Sequence, residues 1–276
     1  AGSLALGSSL PDSVVMAKMQ LDAGFKQRFK LDDNSGSLQP PKWQAPLSIN
    51  PDEKLLTELP KVYGQEFEQQ LTFKTCSKPL GLYPVVDRAH WISKLLPLGV
   101  KIIQLRIKDL KGDDLKREIN EGIEIARQYD AQLFINDYWQ LAIECKAYGV
   151  HLGQEDLDRA DLKAISQAGL RLGLSSHCFF EVARAKTIKP SYIAFGPVYE
   201  TQSKDMPWIP QGPQGLKYWR MHLPNFPMVA IGGIHGDRFK QVKETGVESI
   251  AMISAITEHS DPESITQQYI KAFELS

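Results

Sequence analysis

Three polar side chains alternate with apolar ones between Gln104 and Lys108. Because side chains alternate along a β-strand, Gln104, Arg106 and Lys108 would share one face and the two apolar residues the other. A buried Arg106 needs a partner, and two cations this close together favour an anion with many oxygens, such as a pyrophosphate. For Lys108, the alternative is a surface charge at a fraying strand end.

Acidic residues follow two other short apolar runs. Asn136 and Asp137 end one run, and Glu155 and Asp156 come just after another. Carboxylates that face two cations favour a divalent metal and a polyphosphate between them, and Mg²⁺ takes one or two carboxylates together with phosphate oxygens. Two alternatives stay open: Asn136 or Asp137 caps the next helix, or Glu155 and Asp156 are surface acids.

Later segments supply hydroxyl, ammonium and imidazole groups. Thr201 and Ser203 stand beside Lys204 in a long Pro- and Gly-rich segment, which suits phosphate binding or a plain polar surface loop. His177 follows another apolar run, where a general base and a structural histidine are both open.

The elements that must position these residues repeat regularly after Gly81. Helix-like segments, such as residues 114–129 with apolar residues at helical spacing, separate eight strand-length runs: 82–86, 102–107, 132–135, 149–152, 171–174, 192–195, 227–231 and 249–253. Eight such units in 196 residues (276 − 80) predict an α/β protein with a (β/α)8 TIM barrel. A doubly wound sheet, which would absorb six or seven units, is the alternative.

A barrel of this kind would gather the polar residues at one end. Residues at the C-terminal ends of barrel strands form a common mouth, and the loops after strands seven and eight often bind phosphate. Gly232 and Gly233 follow predicted strand seven, whereas Ile253 and Ser254 lie at the end of predicted strand eight. We therefore expect a phosphate site there.

Residues before 80 have a different character. Pro11 and Asp12, a helical apolar spacing and Gly24 predict a capped helix over residues 11–25. Residues 26–79 are rich in turn residues and predict a linker, with a short helix around residues 52–59. The predicted organisation is a helical segment at 1–25, a linker at 26–79 and the barrel at 80–276.

Composition narrows the classes of partner. Lys and Arg number 32 against 33 Asp and Glu, a net charge of −1, which argues against binding of nucleic acid or anionic membranes through bulk charge. The sequence shows no membrane-length apolar run and no signal peptide, and its three cysteines form no CxxC pair. These features predict a cytoplasmic protein that acts on small molecules.

From Gly81 onward the chain resembles the thiamine phosphate synthase family. The resemblance rests on seven motifs in the family's order, at residues 104–108, 134–138, 149–156, 172–177, 201–204, 230–234 and 252–256. It implies a transferase that joins 4-amino-2-methyl-5-hydroxymethylpyrimidine diphosphate to 4-methyl-5-(2-phosphoethyl)thiazole. The products are thiamine phosphate and pyrophosphate, Mg²⁺ is the cofactor, and the reaction is dissociative, with pyrophosphate leaving first.

The resemblance also assigns site residues by position. The pyrimidine diphosphate is held by Gln104, Arg106, Lys108, Asn136, Ser175 and Lys204, of which Arg106, Lys108, Ser175 and Lys204 are the expected catalytic groups. The Mg²⁺ ligands are Asp137 and Asp156. The thiazole phosphate is held by Thr201, Gln202, Ser203, Gly233, Ile253 and Ser254.

The first 25 residues resemble the C-terminal end of a hydroxymethylpyrimidine phosphate kinase, the preceding enzyme of the pathway, which is fused to the synthase in some bacteria. This resemblance implies a kinase domain upstream. Residues 1–80 contain no P-loop or comparable Gly-rich loop, so we expect no kinase activity from this chain. A homo-oligomer is compatible with the sequence.

Other functions on the same barrel stay open. A thiazole tautomerase binds related phosphates without the diphosphate clamp, and a non-catalytic phosphate-ligand sensor needs neither metal ligands nor leaving-group cations. An unrelated aldolase or epimerase would require a Schiff-base lysine or an acid–base pair, for which Lys108 is the one clear candidate at a strand end.

Overall fold

The fold is described from a computed structural model for residues 4, 8–26, 59–62, 71–201 and 209–274. Gln202, Ser203 and Lys204 lie outside the described residues, as does most of the predicted linker with its short helix. The remaining predicted site residues all lie within them.

Eight parallel strands form a closed barrel in which each strand pairs with the next and the eighth pairs with the first. This closure confirms the predicted (β/α)8 architecture, because a doubly wound sheet would be open. The strands are β1 Gly81–Val86, β2 Ile102–Leu105, β3 Gln132–Asn136, β4 Gly149–Leu152, β5 Arg171–Ser176, β6 Tyr192–Phe195, β7 Met228–Ile231 and β8 Ser249–Met252.

In the described residues one helix precedes the first strand, and the other helices follow the strands. The helices are α1 Leu10–Lys26, α2 Ala89–Leu95, α3 Gly112–Gln128, α4 Trp139–Glu144, α5 Gln154–Leu157, α6 Leu162–Gln167, α7 Phe179–Ile188, α8 Gly212–His222, α9 Asp237–Lys243, α10 Ser254–Thr257 and α11 Pro262–Glu274, with a 3₁₀ turn at Leu96–Leu98. No helix in these ranges is both long enough and apolar enough to cross a membrane.

The barrel has an apolar layer outside the strands and a second one inside. On the outside, strand residues such as Ile103 and Leu105 belong to the same buried cluster as Ile119 of α3. The inside is filled mainly by the rings of Tyr83, Phe134 and Tyr192, together with smaller aliphatic residues. Alternation along each strand separates the two layers, because successive side chains point to opposite faces.

Two inward-facing glycines make room for these rings. A β-carbon on Gly173 would lie 2.2 Å from the ring carbon Cζ of Tyr192, and one on Gly149 would lie 2.5 Å from Cε1 of Phe134. Real β-carbons do not come this close to neighbouring atoms. The absence of a side chain at these two strand positions therefore lets large rings fill the barrel.

Residues 71–80 close the N-terminal end of the barrel, although most of them fall in the predicted linker. The Gln132 amide exchanges two hydrogen bonds with the backbone of Lys78, at 3.1 and 3.3 Å. The Ser191 hydroxyl donates to the carbonyl of Lys74, and the Tyr148 hydroxyl accepts from the backbone N–H of Ser77. The end opposite the predicted mouth is thus tied to the preceding segment.

The N-terminal helix α1 also packs on the barrel, against α7. Val15, Met16 and Met19 are buried, and Asp12 hydrogen-bonds to the backbone of Phe180. A helix occupies the predicted segment, since α1 spans Leu10–Lys26. The division of the chain into three parts remains a prediction.

Candidate active site

A cavity of about 520 Å³ opens at the C-terminal mouth of the barrel and is lined by residues from all eight strands or the loops after them. Many of the predicted site residues line it: Gln104, Arg106, Lys108, Asn136, Asp137, Asp156, Ser175, Thr201 and Ile253. Gly233 and Ser254 are next in sequence to the lining residues Gly232 and Ile253. The structure therefore brings most of the predicted site residues together around one cavity.

One wall of this cavity carries four charged residues, Arg106, Lys108, Asp137 and Asp156, which we call the charged rim. Arg106 and Lys108 lie just beyond β2, and the Lys108 ammonium pairs with the Asp137 carboxylate. The Lys108 side chain is 51% exposed and that of Asp137 is 17% exposed. The rim cations are thus at the cavity surface, where a ligand can reach them.

Asp137 has an unusual backbone conformation at the end of β3. Its φ is 64°, a left-handed value that few residues other than glycine adopt without cost, and its N–H donates to the carbonyl of His151 at 2.9 Å. Helix α4 begins at Trp139, and its N-cap position, Tyr138, makes no side-chain cap. Asp137 lines the cavity and does not cap α4. The alternative in which Asp137 serves as the helix cap therefore does not apply.

Asp156 lies close to Asp137 in the rim. Burial, and then the nearby Asp137 carboxylate, raise the pKa of Asp156 above its ordinary value. Glu155 also lines the cavity but is exposed. Two neighbouring carboxylates repel one another when both are ionised, and a divalent cation relieves that repulsion.

The charged rim can hold a metal ion only in an open manner. Within the described residues no group of three or more His, Cys, Asp or Glu side chains is arranged to bind a metal. Zinc sites need three or four such ligands, whereas Mg²⁺ often uses one or two carboxylates with water and substrate phosphates. The Asp137 and Asp156 pair therefore fits Mg²⁺ bound together with an anionic ligand.

Beneath the rim, five uncharged side chains form a continuous hydrogen-bonded chain, which we call the tyrosine–histidine chain. The Gln104 amide donates to the Tyr83 hydroxyl at 3.3 Å, and that hydroxyl bonds to the Tyr192 hydroxyl at 2.8 Å. The Tyr192 hydroxyl meets His151 Nδ1 at 2.8 Å, and His151 Nε2 meets the Ser175 hydroxyl at 2.9 Å. The chain crosses the barrel from β2 to β5, and both of its ends are predicted site residues.

Burial keeps this chain neutral. Desolvation lowers the pKa of His151 to about 4, so the imidazole is uncharged near neutral pH. Desolvation also raises the pKa values of Tyr83 and Tyr192 above the ordinary range for tyrosine. A ligand at the bottom of the cavity therefore meets hydrogen-bonding groups without charge.

Tyr83, His151 and Tyr192 are not among the site residues predicted from the sequence. The two tyrosines share the inward phase of their strands with Val85 and Ala194, so they look like ordinary core residues. The available signal was that each buried hydroxyl needs a hydrogen-bond partner, which predicts polar neighbours inside the barrel. That rule does not say which strand supplies the partner.

The glycine pair after β7 has a packing role next to the cavity. Both residues have positive φ, 104° for Gly232 and 64° for Gly233. A β-carbon would lie 2.8 Å from the backbone of Pro197 at Gly232 and 2.4 Å from the carbonyl oxygen of Glu200 at Gly233. The pair therefore lets the loop after β7 lie directly against the loop after β6.

His177 and Glu181 form a hydrogen-bonded pair at another wall of the cavity. The His177 Nδ1 to Glu181 Oε2 distance is 2.8 Å, and the same oxygen accepts from the backbone N–H of His177 at 2.6 Å. The Gln211 amide donates to the carbonyl of His177 at 3.0 Å. Three hydrogen bonds from Glu181 and Gln211 thus hold His177, and its action as a general base stays a hypothesis.

Comparison with protein families gives a match to this part of the chain. Residues 82–256 match the family described as thiamine monophosphate synthase. The matched residues run from β1 to α10 and so include all eight strands and the whole described cavity lining.

Individual proteins are similar over the same extent. Thiamine-phosphate synthase of Serratia proteamaculans is 53% identical over 202 residues, which are 73% of this chain and 95% of that protein. The enzyme of the same name from Photorhabdus laumondii is 55% identical over 191 residues, 69% of this chain and 88% of the other. The solved structure of thiamine phosphate pyrophosphorylase from Pyrococcus furiosus superposes with a TM-score of 0.63 at 30% identity, covering 71% of this chain and 96% of that one.

Proposed function

The chain belongs to the thiamine monophosphate synthase family and is a transferase that forms thiamine phosphate, and from this premise we propose how its cavity does so. The observation that carries the proposal is the division of the cavity into a charged rim and a neutral tyrosine–histidine chain. The two substrates have matching parts, because each combines a heteroaromatic ring with phosphate groups.

The charged rim receives the diphosphate of the pyrimidine substrate. Arg106 and Lys108, with Lys204 and Asn136, bind its oxygens, and Arg106 offers the two parallel donors that suit such groups. When the bond from the pyrimidine methylene carbon to the leaving oxygen breaks, both electrons go to the pyrophosphate. Cations already in place stabilise that growing negative charge without reorganisation.

Asp137 and Asp156 hold Mg²⁺ in this proposal. The ion would neutralise part of the negative charge on the diphosphate. Two observations support the assignment: Asp137 and Asp156 are neighbours, and burial, followed by the Asp137 carboxylate, raises the pKa of Asp156. The Lys108–Asp137 pair orients the cation and one carboxylate side by side.

The tyrosine–histidine chain positions the pyrimidine ring. Gln104 and Ser175, its two ends, line the cavity and offer an amide and a hydroxyl to the ring. Loss of pyrophosphate leaves positive charge on the pyrimidine, and a protonated histidine nearby would oppose that charge. The pKa of about 4 keeps His151 neutral and avoids this repulsion.

The thiazole phosphate is held across the cavity by the loops after β6, β7 and β8. We assign it to Thr201, Gln202, Ser203, Gly233, Ile253 and Ser254. The thiazole nitrogen then donates its lone pair to the pyrimidine methylene carbon, which completes thiamine phosphate. No protein nucleophile takes part, so the chain's contribution is charge stabilisation and alignment of the two rings.

The test is thiamine phosphate formation by the full chain from both phosphorylated substrates, with and without Mg²⁺. Asp137→Ala and Lys204→Ala should each collapse the metal-dependent activity, because each removes a group that faces the leaving diphosphate. The matched control is Asp158→Ala, since Asp158 follows α5 and pairs with Arg184 but does not line the cavity. Glu155→Ala should keep the metal dependence and Asp156→Ala should lose it, which separates the two neighbouring acids.

A folded protein that binds both ligands but makes no product would contradict the clamp and favour a tautomerase or a sensor. Titration with pyrophosphate adds an independent readout, because Mg²⁺ should tighten its binding to the wild-type chain and not to Asp137→Ala. The cytoplasmic location, the upstream kinase domain and a homo-oligomer remain predictions that these experiments do not address.

A further inference from the structure

Helix α1 lies outside the part of the chain that the family match covers, yet it contacts the catalytic barrel. It ends at Lys26, and the match begins at residue 82. Val15 and Met19 belong to the same buried cluster as the strand residues that face outward from the barrel. The helix is therefore an addition to the family's barrel, and it docks at a definite place.

That place is the N-terminus of α7, which has no cap of its own. The N-cap residue is Cys178, with an extended backbone (φ −147°, ψ 171°) and no side-chain cap. A thiol is a weak acceptor, and burial raises the pKa of Cys178, so the group stays neutral. The first N–H groups of a helix need acceptors from elsewhere.

Asp12 of α1 supplies the missing acceptor. Its Oδ1 accepts from the backbone N–H of Phe180 at 2.7 Å across 168 residues of sequence. Phe180 is the second residue of α7, and an N-cap side chain normally bonds to the second or third N–H. The carboxylate charge also interacts favourably with the positive end of the helix dipole.

The capped turn continues directly into the cavity wall. Ser175 and His177 come just before α7, Glu181 lies in its first turn, and all three line the cavity. The Glu181 carboxylate accepts from the backbone N–H of His177, and the Asp12 carboxylate accepts from the backbone N–H of Phe180. Asp12 therefore completes the set of hydrogen bonds that fixes this wall, without touching the cavity itself.

We propose that Asp12 is a positioning residue for the transferase: by capping α7 from α1, it holds the wall formed by Ser175, His177 and Glu181 in the shape that binds substrate. This inference rests on the proposed function of the cavity. It means that α1, which precedes the barrel, contributes to the affinity of the cavity for the pyrimidine diphosphate.

The test compares four variants of the full chain. Asp12→Ala removes the acceptor and Asp12→Asn keeps a neutral one. Asp12→Ala combined with Cys178→Ser places a capping hydroxyl at the N-cap itself. The matched control is Asp22→Ala, because Asp22 lies on the same helix and pairs with the exposed Lys18. Each variant is measured for kcat, for KM of the pyrimidine diphosphate, and for hydrogen exchange of the Phe180 amide.

Asp12→Ala should raise KM about 3- to 10-fold, with kcat within about twofold, because a loosened wall lowers the population of the binding-competent state. The same variant should speed exchange of the Phe180 amide. Asp12→Asn and Asp22→Ala should behave like the wild type, and Cys178→Ser should recover most of the loss caused by Asp12→Ala.

Three outcomes would overturn the inference. One is an unchanged KM in Asp12→Ala, even with faster exchange, because Asp12 would then be only a structural cap. A second is an equal rise of KM in Asp12→Asn, and a third is a failure of Cys178→Ser to recover the loss. If Asp12→Ala does not fold, a KM raised threefold or more in Asp12→Asn, or in the double variant that is capped at residue 178, overturns the inference. A wild-type chain that makes no thiamine phosphate refutes the proposed function instead, while the exchange measurement still tests the cap.

Discussion

The charged rim and the tyrosine–histidine chain are neighbours in one cavity but have opposite physical character. The rim residues lie at or beyond the strand ends and are partly exposed, and two of them, Lys108 and Asp137, form an ion pair. The chain residues lie within the strands and are uncharged, and most are buried. The charged rim suits binding of an anionic group, and the tyrosine–histidine chain suits binding of a ring without adding charge.

This difference indicates how one barrel divides two tasks. The rim cations interact more strongly with the diphosphate as negative charge develops on the leaving group. Removing a rim cation should therefore lower the reaction rate. Hydrogen bonds in the buried chain are satisfied before substrate arrives, so their loss should mainly affect stability and alignment. The following predictions test that division, beginning with the largest expected effect.

The first prediction concerns the rim. Arg106→Ala should lower kcat/KM about 100- to 1000-fold, because a group that stabilises leaving-group charge is worth on the order of 3–4 kcal/mol in the transition state. The kcat/KM of Arg106→Lys should lie between those of the wild type and Arg106→Ala, since lysine keeps the charge but not the planar guanidinium. Arg127→Ala, an exposed arginine of α3, is the control for steady-state kinetics. A loss below tenfold in Arg106→Ala would mean that the rim does not act on the leaving group.

The second prediction uses pH to separate the two regions. The pKa of His151 falls from 6.5 to about 4 on folding, so the unfolded chain binds more protons between these values. The stability that neutral His151 contributes is therefore present above pH 6.5 and is lost as the pH falls toward 4, by up to about 1.4 kcal/mol per pH unit. Urea unfolding at several pH values should show a shallower slope in His151→Asn than in the wild type. Replacing the exposed His259 with Asn should leave the slope unchanged.

The third prediction concerns the space that the Tyr192 ring of the tyrosine–histidine chain occupies. Gly173→Ala should lower the free energy of unfolding by about 1–3 kcal/mol, because its β-carbon would overlap the Tyr192 ring in a packed interior. Gly153→Ala is the control for stability, since its β-carbon would lie 3.5 Å from the nearest atom and its φ of −76° suits any residue. Equal stability of the two variants, measured by urea unfolding, would show that the Tyr192 ring is not fixed in place.

The smallest effect is expected for a single hydroxyl. Tyr192→Phe removes the group that joins Tyr83 to His151 and should cost about 1–2 kcal/mol of unfolding free energy, roughly one hydrogen bond on each side. Its kcat/KM should fall much less than that of Arg106→Ala. Tyr129→Phe is the control, because Tyr129 is exposed and follows the last residue of α3. If Tyr192→Phe lost as much activity as Arg106→Ala, the proposed division between rim and chain would be wrong.

Local pattern was sufficient for the barrel and for much of the rim. Each predicted strand lies within two residues of an observed one, because apolar runs of strand length separated by helical periodicity allow few other folds. Alternation along the predicted strand 102–107 put Gln104 and Arg106 on one face, and both line the cavity although β2 ends at Leu105. Their meeting with Asp137 followed from barrel closure, since all strand ends point to the same mouth.

Pattern was not sufficient where a contact joins distant parts of the chain. The choice between Asp137 as a helix cap and as a cavity residue depended on a left-handed backbone at that residue. The packing of residues 71–79 against the barrel end depended on partners such as Gln132 and Ser191, which show no local signal.

The sequence by itself thus determined the order of strands and helices, the position of the mouth and the charged groups around it, because these depend on periodicity and on a closed parallel topology. Only the tertiary structure decided that Tyr83 and Tyr192, 109 residues apart, share a hydrogen bond, and that Asp12 caps a helix 168 residues away. The tyrosine pair depends on the space that Gly173 leaves inside the barrel, and the Asp12 contact depends on the packing of α1 against α7. No short stretch of sequence is sensitive to either. The physical reason is that a buried polar group specifies its need for a partner, whereas the packed fold specifies which partner is within reach.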